Sequence, residues 1–597
     1  MDTLLSAALH ELIAAEHLAP VDRYFAQSLA RLDPQAAPAV LLAAALARRA
    51  IDHGHVCLDL LRLDQGMAAA LATVPFWPSE PIPVLAALAA SSLVGDGSTP
   101  TPLVLAGSRL YLFRYWHYEA RLAAAIRLRA GTALPAEEAA AVLERLLAGS
   151  HITASPAQRR AVIMAATRRL AVISGGPGTG KTTIVLYLLA LIQELAKASG
   201  RDFARILLLA PTGKAAARLA QSMQERLALL PVDEAVRAAL PREAATIHRA
   251  LGYQRRTPTT FRHGLDNPLP AEVVIVDEAS MVDLALMSKL FSAVASEARL
   301  VLLGDKDQLA SVEAGSLMGD LCLAAGIEAT AEAAAAAVLA GSVVQLDESF
   351  RFAAGQGIGA LVRQIKAGDS EAMLAQLDGS HPEVVLHPAT LPLAGNDRLR
   401  KAVVEGYRAY LAAANADEAL ARLNGFRVLC AHRRGPAGVR AVNEFCVRVL
   451  AEAGWLQPQE EWYQGRPLMI TANNYSLQLF NGDLGVVWPD PADGTLRAWF
   501  SDQAGGRLRA LPAGRLPAHE TAFAMTVHKS QGSEFERVAV VLPDEPSPVL
   551  TRELLYTAVS RARKAVTLFG APEILRQAVA RRVVRDSGLR QRLTAGE

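Results

Sequence analysis

Cysteine is scarce in this chain. There are four in 597 residues, Cys57, Cys322, Cys430 and Cys446, with no C-x-x-C pair among them. That scarcity argues against a zinc ribbon built on paired thiolates and against a disulfide framework, and it fits a reducing cytoplasm. The run His53-Gly54-His55-Val56-Cys57 offers three soft ligands with no fourth nearby, and reads as a turn followed by an apolar segment. An excess of charge is also lacking. At a net +2 the chain has no overall attraction for nucleic acid, so any DNA must bind in a local groove. Long apolar runs are missing too: no stretch of about 20 uncharged apolar residues suggests a transmembrane helix. The N-terminus carries an acid at Asp2 and no basic segment, which makes a poor signal peptide. The expectation is a cytoplasmic protein with no membrane partner.

What is present is an ordinary globular composition, 51% hydrophobic and 20% charged. The length suggests roughly three to five domains or subdomains at about 100–200 residues each. Residues 1–115 are rich in Ala and Leu at helical spacing and predict a helical N-terminal domain. From about residue 155 the texture changes, as short apolar runs alternate with helical patterns. Leu170-Ala171-Val172-Ile173-Ser174, Ile206-Leu207-Leu208-Leu209-Ala210, Val273-Val274-Ile275-Val276 and Leu300-Val301-Leu302-Leu303 are uninterrupted, as parallel strands buried on both faces require. The fold class is therefore α/β, with a first doubly wound domain over 116–340 that carries a small insertion near 240–268. Residues 324–341 are low-complexity alanine, read as an exposed helix or an insertion. A second α/β domain is predicted over 341–450 and 521–585, with strands at 427–430 and 538–541. Residues 451–520 have Gly, Pro, aromatics and alternating runs, and predict a small β insertion. Residues 586–597 are left as a tail.

The strongest chemical signal is Gly175-Gly176-Pro177-Gly178-Thr179-Gly180-Lys181-Thr182, followed by Thr183. It matches G-x-x-x-x-G-K-[ST] in full, after a predicted strand and before an apolar helical run. Glycines let backbone N–H groups close around phosphate, and the helix N-terminus favours negative charge. Lys181 is expected at the β- and γ-phosphates of ATP and Thr182 on Mg²⁺. The second signal is the strand 273–276 ending in Asp277 and Glu278. Asp277 is expected to hold Mg²⁺ through water and Glu278 to act as general base. The third is Leu303-Gly304-Asp305-Lys306-Asp307-Gln308, where Gln308 suits a γ-phosphate sensor.

In this order the motifs resemble superfamily 1 helicases over roughly residues 150–570, with the nearest likeness to the RecD family. Gln158 stands where that superfamily has its adenine-reading glutamine. The stretch 210–216, with Pro211, Thr212 and Lys214, and Thr246-Ile247-His248-Arg249 resemble motifs that contact single-stranded DNA. Asp347-Glu348-Ser349-Phe350-Arg351-Phe352 resembles the segment whose arginine reaches the γ-phosphate from the second motor domain. Residues 524–535, with Thr526, His528, Lys529 and Gln531, resemble the motif that joins DNA contact to nucleotide sensing. Leu555-Tyr556-Thr557-Ala558-Val559-Ser560-Arg561 resembles the final motif, with Arg561 as the finger. Read alone, these last two stretches are equally a polar loop and an Arg-rich helix.

The resemblance implies two RecA-like motor domains. It implies that 466–485 belong to an SH3-like insertion touching DNA, with Asn473 and Tyr475 as candidate contacts and Asn481-Gly482 as a hairpin turn. Residues 261–268 read either as a small wedge hairpin or as an ordinary loop. The resemblance further implies an ATP-dependent 5′-to-3′ helicase, associated with the nucleoid, acting on single-stranded DNA and duplex ends. Helix-hairpin-helix repeats, as in stand-alone RecD-like helicases, are not seen. The compact N-terminus looks like that of the subunit which docks on RecB and RecC in exodeoxyribonuclease V, a complex for double-strand-break repair and degradation of linear DNA. The other readings are a stand-alone helicase, an ATPase-dead structural subunit, and a small-molecule P-loop enzyme such as a kinase. The intact set of Lys181, Asp277, Glu278, Gln308, Arg351 and Arg561 argues against a dead site, and a kinase has no use for the second half.

Overall fold

The computed structural model describes residues 3–131, 134–150, 153–254, 260–327, 337–352, 357–388, 391, 393–474, 476–501 and 508–594. Two parallel sheets form the body. The first has the strand order Val343–Leu346, Leu170–Gly175, Arg299–Gly304, Val273–Val276, Ile206–Ala210 and Ala245–Thr246. All four apolar runs singled out in the sequence are therefore strands of one sheet. Their alternation sends Val172, Val274, Val276 and Leu302 into one core and Ile173, Ile275, Val301 and Leu303 into the other. Helices cover both faces, so the central strands are largely buried while the edge strands are half-buried.

The second sheet has the order Val384–His387, Ala562–Phe569, Phe535–Val541, Phe426–Cys430 and Ala524–Thr526, all parallel. Along the chain, a five-stranded antiparallel sheet is inserted between Phe426–Cys430 and Ala524–Thr526. It comprises Pro467–Ile470, Leu484–Pro489, Leu496–Ser501, Leu508–Leu511 and His519–Thr521. Leu468, Ile470, Val487 and Phe500 give it a core of its own. Asn481 and Gly482 turn the chain ahead of the strand Leu484–Pro489, with Asp483 N–H donating to the Phe480 carbonyl at 3.0 Å.

Several boundaries differ from the sequence expectation. The N-terminal domain is not wholly helical. Helices such as Pro38–Asp52 pack against a four-stranded sheet, Leu58–Asp59, Arg109–Leu112, Leu103–Ala106 and Val94–Gly95. The strand Val343–Leu346 pairs with the strand Leu170–Gly175, so the first α/β domain ends after residue 346 and not at 340. The strand Ala245–Thr246 forms the first sheet's edge, so the insertion expected near 240–268 starts only beyond Thr246. Within that insertion, 261–268 is a closed turn: Asn267 Nδ2 donates to the Arg262 carbonyl at 2.9 Å, and the described bridge is Tyr253 to Phe261. The alanine-rich 324–341 lies partly outside the described residues, and its Leu339 is buried in the first domain's core.

Residues 586–594 are no tail. The chain leaves the second α/β domain at the helix Pro572–Ala580 and returns to the first, where Leu589 and Leu593 join its core. Arg585 donates to the carbonyls of Glu313 (2.8 Å) and Gly315 (2.7 Å). The backbone of Asp586 pairs with His55 and Val56, which turns the His53–Cys57 run against this strap while Cys57 goes into the core. Glu119, at 0% exposure, accepts from Gly588 N–H (2.9 Å), Arg592 Nε (2.9 Å) and Tyr111 OH (3.1 Å). A fully buried carboxylate persists because it is paired and hydrogen-bonded. Among the described residues no helix is long and apolar enough to cross a membrane.

Candidate active site

The P-loop runs from the strand Leu170–Gly175 to the helix Lys181–Ala198. Gly178 (φ 78°) and Gly180 (φ 83°) take the left-handed conformation, which favours glycine. A Cβ on Gly180 would lie 2.2 Å from Gln158 Nε2, and one on Gly178 would lie 2.4 Å from Arg351 Cβ. Lys181 Nζ donates to the carbonyls of Gly175 and, at 3.0 Å, Gly176. Gln158 braces the loop: its Nε2 donates to the Thr179 carbonyl at 3.0 Å, and its Oε1 accepts from Ser155 N–H at 2.9 Å, completing a capping box.

Asp277 and Glu278 follow the strand Val273–Val276 at the same end of the sheet. Burial, and then the neighbouring Glu278 carboxylate, pushes the Asp277 carboxyl up to about 6 against the pull of Lys181. A half-buried carboxylate so reluctant to ionise alone suits a cation partner. Pro177 to Thr183, Asp277, Glu278, Gln308, Arg351 and Arg561 line one cleft of about 760 Å³. The six candidate catalytic side chains therefore come together although Lys181 and Arg561 stand 380 positions apart in the chain.

Gln308 Nε2 donates to Asp305 at 2.9 Å, and its Oε1 is buried without a partner. Arg561 is buried at the end of the helix Arg552–Ser560. It donates to the carbonyls of Thr557 (3.2 Å) and Ser533 (3.3 Å). Burial lowers its pKa, and the nearby Glu278 and Glu534 act against that. Arg351 corrects an expectation. It lies not within the second motor domain but on the linker between the two, fastened to the P-loop by Phe350 N–H to the Gly178 carbonyl (2.9 Å) and Ser349 Oγ to the Pro177 carbonyl (3.1 Å). The reason is the strand Val343–Leu346, which keeps the preceding residues in the first sheet.

The second motor domain meets the first through polar contacts around Gln308. Tyr556 OH donates to Asp305 (2.8 Å), Leu309 N–H to Thr557 Oγ1 (3.0 Å), and Gln531 Nε2 to the Leu309 carbonyl (2.8 Å). Gln531 is thus buried in the interface between motor domains and not placed as a strand contact. Its position beside the motif at 304–308 draws it inward.

The other candidate strand contacts lie at the ends of neighbouring strands. Thr212 caps the helix Gly213–Leu227, and Phe480 of the insertion packs over Gly213, 3.4 Å from where a Cβ would stand. Burial, with Arg427 and Arg218 nearby, pushes the Lys214 ammonium down to about 7, and Asp483 opposes them. Thr246 Oγ1 accepts from Arg249 N–H at 3.2 Å, and His248 is exposed beside the Phe261 ring. Thr526 Oγ1 accepts from Lys529 N–H at 3.2 Å, and Lys529 pairs with Glu520 at 2.8 Å. Burial, then Arg585, lowers the His528 pKa. Asn473 is exposed and accepts from Asn481 N–H at 2.8 Å; Tyr475 lies outside the described residues.

The chain is 44% identical over 592 residues to "RecBCD enzyme subunit RecD" of Mycolicibacterium smegmatis, spanning 97% of this chain and 98% of that one. It belongs to the RecD family. The Mycobacterium tuberculosis member is 42% identical over 583 residues, covering 96% of this chain and 94% of its own. The "ATP-dependent RecD2 DNA helicase" of Deinococcus radiodurans is 31% identical over 494 residues, which is 82% of this chain and 59% of that protein. Family models agree by region: the N-terminal domain of RecBCD enzyme subunit RecD at 14–111, an AAA domain at 158–314, and a UvrD-like helicase C-terminal domain at 521–569.

Residues that the sequence reading passed over also line the cleft. Arg218 sits one helical turn after Lys214 and so shares its face, a spacing that could have found it. Glu534 lies inside the motif at 524–535, past its cluster of polar residues at 526–531. Asp305, Tyr556 and Thr557 carry the contact between domains; each lies inside a motif, but nothing local in the sequence pairs them.

Proposed function

We propose that this chain is an ATP-dependent DNA helicase that translocates 5′-to-3′ along single-stranded DNA, as the alpha subunit of a RecBCD-type helicase–nuclease. The observation that carries the reading is the cleft itself: Lys181, Asp277 and Glu278 come from one sheet and Arg561 from the other. A phosphate bound there gains full charge compensation only when the two domains close on it. Nucleotide binding then becomes domain motion, and hydrolysis reverses it.

Lys181 and the loop amides would hold the phosphates of ATP, and Gln158 keeps that loop in shape. Thr182 and Asp277 would hold Mg²⁺, which supplies charge neutralisation at the phosphates. Glu278 would orient the attacking water and take its proton. Arg351 and Arg561 would meet the negative charge that grows in the transition state. An arginine in this role is worth about a thousandfold or more in rate. Thr212, Lys214, His248, Thr526, His528, Lys529 and Asn473 would grip the strand backbone without sequence preference.

RecB and RecC are the expected partners, with the N-terminal domain as the docking unit. Near full-length coverage of the RecBCD subunits favours this over a stand-alone helicase, because the RecD2 relative has a large share of its length outside the match. ATP hydrolysis by the full chain, with and without single-stranded DNA and beside Lys181→Ala, tests the motor. Strong stimulation that the substitution removes is expected. Hydrolysis indifferent to DNA would sink the reading for the chain on its own, and copurification with RecB and RecC tests the assembly.

A further inference from the structure

The cleft holds a cluster that the reaction as described leaves unused. Glu534, on the second motor domain, takes three guanidinium groups at once. Its Oε1 accepts from Arg351 and from Arg218 Nη2 at 2.6 Å, and its Oε2 from Arg563, with Nε at 2.9 Å and Nη2 at 2.7 Å. Burial alone would raise this carboxyl, yet Arg218 and Arg351 hold it far below the usual carboxylate range. It stays ionised at any working pH. The three partners come from three places: Arg563 from the second motor domain, Arg351 from the linker, and Arg218 from the helix Gly213–Leu227 of the first. Arg218 also donates Nη1 to the Gly532 carbonyl at 3.2 Å, a second bond across the same gap.

Both ends of this cross-cleft pair stand close along the chain to strand-facing loops. Arg218 follows Lys214 by one turn of the same helix. Glu534 follows Thr526 and His528 by a short, buried segment, with Ser530 and Gln531 both buried and Gln531 bonded to Leu309. We infer that Arg218 is a positioning residue. Its ion pair with Glu534 ties the strand-facing loop of the first motor domain to that of the second across the nucleotide cleft. Through it, an occupied strand sets the geometry in which Arg351 and Arg561 meet the phosphates. Glu534 is the common anchor, so the pull of a strand on residues 211–214 and on 526–529 reaches one carboxylate. This rests on the helicase reading and says which contact carries DNA occupancy to the chemistry.

The Arg218 side chain is 41% exposed, so replacing it leaves the cores intact. The test uses the full chain and reads ATP hydrolysis against single-stranded DNA concentration. With Arg218→Ala, the DNA-stimulated kcat should fall about tenfold or more while KM for ATP shifts by about threefold or less, the pattern of a lost transition-state arrangement. Arg218→Lys keeps the charge without the two-pronged reach and should recover part of the loss. The Arg218→Ala, Glu534→Ala pair should be no worse than Glu534→Ala alone, because both break one tie. Full stimulation in Arg218→Ala beside a stimulated wild type overturns the tie and leaves the motor standing, as do single effects that multiply. A wild type without DNA stimulation overturns both.

Discussion

The edge strands of the two motor sheets end in the same four-residue pattern. In the first it is Thr246-Ile247-His248-Arg249, and in the second Thr526-Val527-His528-Lys529. In each the threonine hydroxyl accepts from the basic residue's backbone N–H at 3.2 Å. The strand beside each edge is also followed by basic residues, Lys214 at the start of a helix in the first domain and Arg433 and Arg434 in a loop in the second. The scaffold therefore presents one polar unit twice. The surroundings differ. His248 is exposed, and after the helix Ile247–Leu251 its segment runs out to the surface at Tyr253. His528 is half-buried, and its segment runs inward through Gln531 to Glu534 in the nucleotide cleft. On the proposed reading both units would grip the strand; of the two, the second continues into the nucleotide cleft, and the P-loop lies at the end of the first sheet.

The largest expected effect removes what the second domain lends to the first. Arg561→Ala should lower kcat for ATP by about a thousandfold with nucleotide binding largely kept, read by steady-state hydrolysis beside titration of a fluorescent nucleotide. Next comes the strap that holds the second domain to the rest. Arg592→Ala leaves the fully buried Glu119 without its cation and should destabilise the fold by about 3 kcal/mol, read as a lowered urea midpoint. The comparison is sharpened most directly by Thr246→Val against Thr526→Val. Each loses a backbone-to-hydroxyl hydrogen bond worth about 1 kcal/mol, so each should weaken single-stranded DNA binding about fivefold in Kd. Only Thr526→Val should also lower the stimulated hydrolysis rate; equal rate loss from both would break the asymmetry.

A separate effect is on pH dependence. Burial pushes the Asp320 carboxyl up to about 7, from 3.8 in the open chain, while Ser587 of the strap donates to it at 2.8 Å. The folded state therefore holds a proton that the unfolded state has released. This stabilisation is full below pH 3.8 and fades as pH rises through about 7. Asp320→Asn should flatten that slope in urea midpoints measured at about pH 5 and about pH 8.

The nucleotide cleft was legible in the sequence because its signals are local. Strands such as Leu170–Gly175 are buried on both faces and so appear as unbroken apolar runs, and the P-loop is contiguous. Contacts between domains were not. Tyr556 and Asp305 stand 251 residues apart, and Gly588 and Glu119 stand 469 apart. No periodicity links them. The N-terminal sheet was missed for a different reason. Its strands are two to four residues long, below the length at which alternation can be read. One usable cue was there: Gly107-Ser108 between two apolar runs is a two-residue hairpin loop, with Gly107 at φ 61°. Arg351 lines the cleft from the linker and not from the second domain, because a strand's partner is set by tertiary pairing and not by its own residues.

The returning strap has a mechanical meaning. The second motor domain is fastened at two separate places, by the linker after Leu346 and by residues 581–588. A body hung from one point swivels in every direction; hung from two, it turns like a door about the line through its hinges. If the chain is the proposed motor, closure on a nucleotide would follow a single arc, and the drift of a loosely hung domain would not be lost from the stroke.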